Sequence, residues 1–568
     1  MQPVDFTTLM ALCAELRTQW LPSRVEQVLQ RDRHTIALCL RTLDQRGWLT
    51  LSWHPQGARL CMDEPPPRDP NTFAFAQQLR HQLNGLALVS LRAIAPWERA
   101  LDLQFARRPS DLCQYHLYVE VMSKYSNAIL TTPDNQIITV AHQVSAQQSS
   151  VRPLLTGQAY ELPPALMETM PTLDESFERW QERIALVPIP LKRALLKNYR
   201  GLSSALVLSM CAEAGLDADQ DTGAIAPYQW RSLFHQWQVW LTALSTEQFQ
   251  PGWCATGYTV LGWGMEQAAD STQTLISNFY RDQLNRQTLR QLHHQLTQRL
   301  GSLLKKLDVK LTDFQTRLEQ SADADALKDR ADLLMAHLHE YQPGMTRMTL
   351  ADFTTGEPIT LTLDPDKNAV QNAQRFYKKQ QKMRRSRAAL EPLLRDTQAE
   401  IDYLEQVQVA LAQLADYTGP EDLDALEEIR EELVQQGYLE ATEGRDRPRS
   451  ATQFRHYTSP SGFAIWVGRN NRQNDELTFR LATDYDLWFH SQEIPGSHVL
   501  LRLNPGAVPE DADLQFAANV AALHSRAAQS DQVPVVYTEP RHVYKPKGAK
   551  PGMAIYKQER VIWGSPIR

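Results

Sequence analysis

The chain has 568 residues, 42% hydrophobic and 22% charged, which suits a folded protein of roughly three to five domains at about 100–200 residues each. A net charge of −7 argues against a uniformly basic nucleic-acid binder, and no apolar run approaches the roughly 20 residues of a membrane helix. The start, Met1-Gln2-Pro3-Val4-Asp5, lacks the basic-then-apolar pattern of a signal peptide. Six scattered cysteines (Cys13, Cys39, Cys61, Cys113, Cys211, Cys254), none paired as C-x-x-C, point to buried reduced thiols rather than zinc ligands or disulfides.

In chain order, the first block runs to about Pro164. Arg24–Gln30, Thr35–Arg41, Trp48–Trp53 and Ala58–Met62 carry β-branched or alternating apolar residues between turn residues, which predicts short strands. Pro65-Pro66-Pro67 breaks the chain, and Phe73–Leu83 has helical spacing. Leu86–Ile94, Ala100–Phe105 and His116–Met122 are further strands, and Asn127–Thr132 pairs with Gln136–His142 around Pro133-Asp134-Asn135. The block reads as an α+β unit rich in antiparallel sheet. Polar groups stand out between its strands: Glu98-Arg99, then Glu120, Lys124, Ser126 and Asn127, then Arg152. Glu98-Arg99 is either an internal ion pair or a planar guanidinium fork for phosphate or base, oriented by the carboxylate beside it.

From about Leu173 to Gln248 the chain is helical. Pro190 to Leu216 holds two short helices joined at Gly201-Leu202-Ser203, the helix–hairpin–helix pattern. Gly201 permits positive φ there, and the next helix start presents backbone N–H groups to a phosphate; a plain αα-hairpin is the other reading. Gly252–Met265, with Trp253, Tyr258 and Trp263, is a small strand-like connector. Leu289, Leu292, Leu296, Leu300, Leu303, Leu307, Leu311, Phe314 and Leu318 form one stripe of a long helix. A second long helix spans about Asn372–Leu414, where Pro392 is expected to kink or break it. Between them Met348–Phe353 and Ile359–Leu363 alternate as a β-hairpin, so the helices assemble as an antiparallel coiled-coil arm with a small β tip. Leu423–Leu439 is an acidic helix ending at Gly437, and Ala441–Thr452 is a charged linker.

The last domain starts at about Phe454. Its expected strands are Phe463–Gly468, Leu477–Leu481, Leu487–His490, Val499–Leu503, Val533–Thr538 and Met553–Tyr556, with one alanine-rich helix, Asp513–Ala528. Asp484–Val499 concentrates Trp488, Phe489, His490, Gly496, Ser497 and His498, just downstream of Arg469-Asn470-Asn471. Trp488 and Phe489 alternate in a strand, so one is expected in the core and the other exposed for stacking, and a purely structural role for the pair is the equal alternative. Gly496 would let a ligand approach the backbone closely, and the histidines could hydrogen-bond one without full charge. Ser497 and His498 are adjacent in a strand and point to opposite faces, which excludes a direct nucleophile–base pair. His490 and His498 have no cysteine nearby to complete a metal site.

Charge is segregated along the chain. Arg375–Arg387 holds seven basic residues (Arg375, Lys378, Lys379, Lys382, Arg384, Arg385, Arg387) and no acid. Arg541–Arg568 holds seven, among them Lys545, Lys547 and Lys550, and one acid, Glu559. Acid collects in Glu421–Glu432. The basic runs are either phosphate-tracking surfaces or solvated faces.

Several motifs in one order carry a resemblance over essentially the whole length. They are Glu120-Val121-Met122 with Ser126-Asn127, Val151-Arg152-Pro153, Gly157 with Tyr160 and Pro163-Pro164, and Gly201-Leu202-Ser203. Downstream they are Asn372-Ala373-Gln374 with Tyr377-Lys378-Lys379, Ile429–Leu433, Val467–Asn471, Asn474-Asp475, Asp486–His490 and Pro495–Val499. On these the chain resembles the NFACT family, with its bacterial RqcH and eukaryotic NEMF branches, once labelled fibronectin-binding protein A. The resemblance implies a multidomain α+β fold: an NFACT-N domain (1–172), a helix–hairpin–helix domain (173–270), a coiled-coil arm with a β-hairpin tip (271–440), a linker (441–453) and an NFACT-R RNA-binding domain (454–568).

It further implies a ribosome-associated quality-control factor in the cytoplasm. Such a factor binds large ribosomal subunits, through rRNA and ribosomal proteins, when peptidyl-tRNA blocks them. It recruits charged tRNA, alanyl-tRNA in bacteria, for untemplated C-terminal tailing that marks the stalled chain for degradation. A small RNA-binding tailing cofactor is a further implied partner. Bond formation is left to the ribosome, so no catalytic residue, cofactor or metal is expected. The family's Asp-Arg pair for tRNA falls on Glu98-Arg99, where Glu keeps the charge on a longer arm, and its Glu-x-Met motif falls on Glu120 and Met122. Arg375, Lys378, Lys379, Lys382, Arg384, Arg385, Arg469, Asn470, Asn471, His490, Gly496, Ser497, His498, Lys545, Lys547 and Lys550 are the candidate RNA- and ribosome-binding residues. Two other classes stay open: a nucleic-acid-binding protein related to DNA glycosylases, and a fibronectin-binding surface protein. The first lacks an N-terminal proline amine with a neighbouring glutamate, since the chain starts Met1-Gln2-Pro3-Val4. The second would need a signal peptide and an anchor.

Overall fold

The computed structural model describes residues 2–66, 73–145, 147, 152–164, 168–321, 323–441 and 453–566. They divide into two compact units, one up to Asn285 and one from Arg286 onward. The charged linker expected at 441–453 lies almost wholly outside the described residues.

The first unit opens with α1 (Phe6–Trp20), followed by β1 (Ser23–Asp32), β2 (Thr35–Arg41), β3 (Arg46–Ser52), β4 (Arg59–Asp63), α2 (Ala74–Leu83), β5 (Ala87–Ala93), β6 (Ala100–Ala106), β7 (Tyr115–Glu120), β8 (Asn127–Thr131) and β9 (Ile137–Val140). Among the described residues these strands make one nine-stranded antiparallel sheet, in the order β4-β3-β2-β1-β5-β6-β7-β8-β9. The strands match those expected from the alternating pattern. Helix α1 is an addition: it is buried nearly all round, Thr7 and Thr8 included along with Leu9, Leu12, Cys13 and Leu16, so its polar residues do not mark out a solvent face that would announce it. Asp5 caps it, accepting from the Thr8 N–H at 2.8 Å.

Four helices follow: α3 (Phe177–Ala185), α4 (Leu191–Asn198), α5 (Ser204–Glu213) and α6 (Pro227–Thr246). Their core is built from Trp180, Trp230, Trp237, Trp240 and Tyr199. Gly201, between α4 and α5, has φ +76, a conformation that favours glycine. The aromatic connector is a small sheet of β10 (Gly252–Cys254), β11 (Gly257–Thr259) and β12 (Gln267–Ala268). Helix α7 (Thr272–Gln320) starts in this unit, where Leu275, Ile276, Phe279 and Tyr280 join the core under the large sheet.

In the second unit α7 buries Leu289, Leu292, Leu296 and Leu300 against Tyr403, Leu404, Val407 and Leu411 of α9 (Ala369–Ala412). His293 bonds the Leu411 carbonyl at 2.9 Å. Helix α9 runs through Pro392 without a break; the proline sits on an exposed face, where solvent serves the backbone groups it leaves unpaired. The hairpin is β13 (Arg347–Ala351) with β14 (Pro358–Thr362). It packs with α8 (Ala324–Ala336), a helix beyond the sequence reading, and with Ala373 and Phe376 at the start of α9. The acidic helix is α10 (Pro420–Gln435).

The C-terminal part holds β15 (Arg455–Thr458), β16 (Ala464–Val467), α11 (Asn471–Glu476), β17 (Leu487–Ser491), β18 (Val499–Leu501), α12 (Asp511–Leu523), β19 (Val533–Thr538), β20 (Val543–Tyr544), β21 (Ile555–Tyr556) and β22 (Arg560–Gly564). Among the described residues a six-stranded antiparallel sheet runs β15-β16-β18-β17-β19-β22, with β20 and β21 pairing apart from it. Leu477–Leu481, expected as a strand, is instead a π-helical turn continuing α11. Leu477-Thr478-Phe479-Arg480-Leu481 alternates apolar and polar residues like a strand, but five residues are too few for that alternation to decide between the two periods. Helix α12 is alanine-rich and lies on the face that carries Phe489, Val499 and Val535. Trp488, Leu500 and Val536 fill a second cluster on the other face.

Candidate nucleic-acid interface

In the first unit, Glu98 and Arg99 occupy the turn between β5 and β6. The turn is held by Trp97, which has φ +64 and packs on Phe6 (centroids 4.9 Å apart) and Trp240 (5.4 Å). A Cβ at Gly201 would stand 2.3 Å from Trp97 Cε3, so the missing side chain of Gly201 is what admits the indole. Two hydrogen bonds fix the same junction: Ser203 Oγ donates to Asp5 Oδ2 at 2.7 Å, and Trp240 Nε1 donates to Thr7 Oγ1 at 2.8 Å. Asp5 and Trp97 are functional supports that sequence reasoning missed. Asp5 carries an N-cap signal, Asp-x-x-Thr, whereas positive φ at a tryptophan has no sequence signature.

Glu98 is 9% exposed, and its Oε1 is buried with no hydrogen-bond partner among the described residues. A buried acceptor left that way costs about 1–3 kcal/mol until a donor reaches it. Arg99 is half-buried with Nη1 3.5 Å from the Val4 carbonyl oxygen, which leaves most of its N–H fork uncommitted. The two groups are not ion-paired in the structure; they form an acceptor and a donor set side by side.

Glu120 and Met122 lie across the next strand pair, with Ala100 opposite Glu120 and the Val121 N–H donating to the Arg99 carbonyl at 2.8 Å. Glu120 itself faces inward. It is 2% exposed and accepts from Arg152 Nη1 (3.0 Å), Arg152 Nη2 (2.6 Å) and Tyr160 Oη (2.8 Å). Burial, then the Glu120 charge, push the Tyr160 phenol well above its ordinary range, which keeps it a donor. The expectation that Glu120 meets tRNA directly is therefore corrected: its carboxylate is spent on Arg152 and Tyr160. Met122 is half-buried, and its N–H donates to Ser126 Oγ at 2.8 Å.

In the second unit the basic run lies on α9. Lys378, Lys379, Lys382 and Arg385 are exposed and fall within about a third of the helix circumference at 100° per residue, in the arc next to the one that carries Phe376, Met383 and Leu390. Arg384 and Arg387 are exposed but off that stripe, and Arg387 pairs with Glu391 at 3.0 Å. Arg375 is drawn to Asp364 (3.6 Å) and the Thr362 carbonyl (3.2 Å).

The C-terminal candidates divide. Arg469, Asn470 and Asn471 are 8%, 1% and 3% exposed, and all turn toward α10. Arg469 pairs with Asp422, Asn470 Nδ2 donates to the Ala425 carbonyl (3.2 Å) and to Glu428 (2.7 Å), and Asn471 Nδ2 donates to Glu432 (3.1 Å). Burial raises the Glu432 carboxyl, which also accepts from Tyr403 Oη at 2.6 Å. These side chains join the domain to the acidic helix and are corrected from RNA contacts to internal ties.

His498 is 1% exposed, bonded to Thr478 Oγ1 (2.6 Å), and burial depresses it to about 3. His490, held to about 4 by burial, lies 3.3 Å from the Gly496 carbonyl. Both border a cavity of about 390 Å³ whose lining, among the described residues, also includes Asp402, Glu405 and Glu493 and no lysine or arginine. Trp488 and Phe489 are 1% and 0% exposed, so neither is free for stacking; strand alternation buries them in opposite faces of a sheet covered on both sides. Gly496 is needed by the protein itself: a Cβ there would meet Ser525 Cβ at 3.1 Å and the His524 carbonyl at 3.2 Å. The buried Ser497 donates its N–H to the same carbonyl at 2.9 Å. Lys550 sits 4.5 Å from the Tyr403 ring centroid and 4.8 Å from that of Tyr438. Lys545, exposed, pairs with Asp475, and Lys547 is exposed.

The large antiparallel sheet, the helical segments and the last α+β domain define a multidomain α+β protein. The description "NFACT N-terminal and middle domains" matches residues 5–452, and "NFACT protein RNA binding domain" matches 453–557. The chain belongs to the NFACT family. It is 30% identical over 566 residues to "Rqc2 homolog RqcH" of Bacillus subtilis (strain 168), covering 97% of this chain and 96% of that protein. A protein of the same name from Streptococcus suis (strain 05ZYH33) is 29% identical, with 98% and 96% covered. Among solved structures, the C-terminal part of the fibronectin/fibrinogen-binding protein from Streptococcus suis is 31% identical, with TM-score 0.39, over 49% of this chain and 96% of that one. Among the described residues no helix is long and apolar enough to cross a membrane.

Proposed function

We propose that this protein is a ribosome-associated quality-control factor of the cytoplasm. It binds large ribosomal subunits blocked by peptidyl-tRNA and recruits charged tRNA, alanyl-tRNA in the bacterial pattern. The stalled chain then receives an untemplated C-terminal tail. The protein contributes binding and positioning, and peptide-bond formation stays with the ribosome. In this reading α4 and α5 act as a helix–hairpin–helix module, and the α7–α9 pair with its hairpin is an arm whose exposed α9 stripe meets rRNA.

The observation that carries the tRNA half is the Glu98-Arg99 turn: a buried carboxylate oxygen without a partner beside a largely uncommitted guanidinium, locked by Trp97 and Gly201. A buried acceptor next to a planar donor fork is suited to a nucleotide that offers both kinds of group. Arg99→Ala in cells lacking the wild-type protein tests it. Tails on stalled chains should disappear, while the variant still co-sediments with large subunits. Normal tailing by that variant overturns the reading.

A further inference from the structure

Beside the Glu98-Arg99 turn stands a feature that the fold does not use. After β7 the chain makes a tight turn, Ser123–Tyr125, closed by the Tyr125 N–H on the Met122 carbonyl (3.0 Å) and by Ser126 Oγ on the Ser123 carbonyl (2.7 Å). Ser123 has φ +51, in the left-handed region where a side chain is strained. The strain serves no burial: Ser123, Lys124 and Tyr125 are all exposed, and Tyr125 is 72% exposed, outside every core cluster. What the turn does is hold a bare aromatic ring in water with the Lys124 ammonium 4.9 Å from its centroid. A ring with a cation on one face and solvent on the other is suited to a stacked base and its phosphate. The Val121 N–H bonds the Arg99 carbonyl at 2.8 Å, so this turn and the Glu98-Arg99 turn are tied through backbone at the same end of neighbouring strands.

We propose that Tyr125 and Lys124 are a nucleotide-binding lip of the tRNA site. An unpaired base of the recruited tRNA stacks on the Tyr125 ring, and Lys124 takes the adjoining phosphate. This inference rests on the tRNA reading above and adds to it a stacking subsite distinct from the donor–acceptor pair at Glu98-Arg99.

The test uses the full chain and unfractionated tRNA, with binding read by fluorescence anisotropy at several salt concentrations. Tyr125→Ala should weaken binding by about fivefold or more, the scale of one lost base stack, and Tyr125→Phe should bind like wild type because the ring remains. Lys124→Gln should make the slope of log K against log salt shallower by about one phosphate contact. Thermal melting of each variant shows whether the fold is kept, which an exposed ring predicts. If Arg99→Ala weakens binding while Tyr125→Ala binds like wild type, the lip is wrong and the tRNA reading stands. If wild-type protein binds no tRNA, both fall. Loss in Tyr125→Ala with recovery in Tyr125→Phe supports the lip.

Discussion

Glu120→Gln separates a recognition residue from a scaffold residue. The substitution keeps the shape of the side chain and removes its charge. In the structure the carboxylate accepts two bonds from Arg152 and one from Tyr160. An amide in the same place has one acceptor oxygen and turns an N–H₂ toward groups that are themselves donors. Breaking a buried ion pair costs about 3–5 kcal/mol. The Arg152 side chain is 11% exposed against 2% for Glu120, so water relieves part of the stranded charge and the low end, about 3 kcal/mol, is expected. At about 2–4 °C per kcal/mol for a unit of this size, the melting transition of the first unit should fall by roughly 6–12 °C. Scanning calorimetry measures it. At a temperature well below that transition, tRNA affinity should change by less than about threefold, the range of a substitution that touches no ligand. An unchanged transition together with loss of tRNA binding would refute the inward reading of Glu120.

Replacing Lys378, Lys379, Lys382 and Arg385 together by Gln should weaken large-subunit binding and make its salt slope shallower by about three, as lost phosphate contacts require; an unchanged slope means the stripe faces only water. Acid should destabilise the second unit. Burial holds His490 near about 4 and both His498 and His524 near about 3, against an ordinary 6.5. Below pH 6.5 the unfolded chain takes up protons that the folded state refuses, so stability falls as pH drops from about 6.5 toward about 4. The urea midpoint of that unit should decline across this window, and a flat midpoint between pH 7 and pH 5 contradicts the burial. Gly201→Ala forces a Cβ into Trp97 at a backbone φ of +76, costing about 1–2 kcal/mol from the backbone alone. Tryptophan fluorescence should report the displaced ring and tRNA binding should weaken; no change in either removes Trp97 from the support of the Glu98-Arg99 turn.

Much of the architecture was legible in the sequence because its signals are periodic. Period-two alternation located β1–β9 within a few residues, and the leucine stripe from Leu289 located the helical part of the second unit. The misses have physical causes. Helix α1 is buried on nearly every side and so lacks a solvent face marked out by polar residues, α8 follows the long helix too closely to stand out, and Leu477–Leu481 is too short for its period to show. The site was half legible. Glu98 and Arg99 are noticeable as adjacent charges between two strands. That Glu98 keeps a buried oxygen without a partner, and that Glu120 does not, depends on Arg152 and Tyr160, at least thirty-two residues away in sequence. Asp484–Val499 misled for a similar reason: polar and aromatic density marks either a binding surface or a sheet packed on both faces, and only burial distinguishes them.

The charge pattern has the same resolution. Acid collects in Glu421–Glu432, and the structure employs it: Asp422, Glu428 and Glu432 of α10 receive Arg469, Asn470 and Asn471, Glu431 pairs with Arg472 at 3.4 Å, and Glu405 of α9 pairs with Arg526 at 2.7 Å. Those acids are committed inside the second unit. The three lysines and Arg385 of the α9 stripe are not matched in this way among the described residues; they stand exposed on their helix. Screening confines each exposed charge to about 8–10 Å at physiological salt. A phosphate approaching α9 therefore responds to Lys378, Lys379, Lys382 and Arg385 and hardly at all to carboxylates paired elsewhere. That is how a chain with a net charge of −7 can present a locally positive surface to RNA.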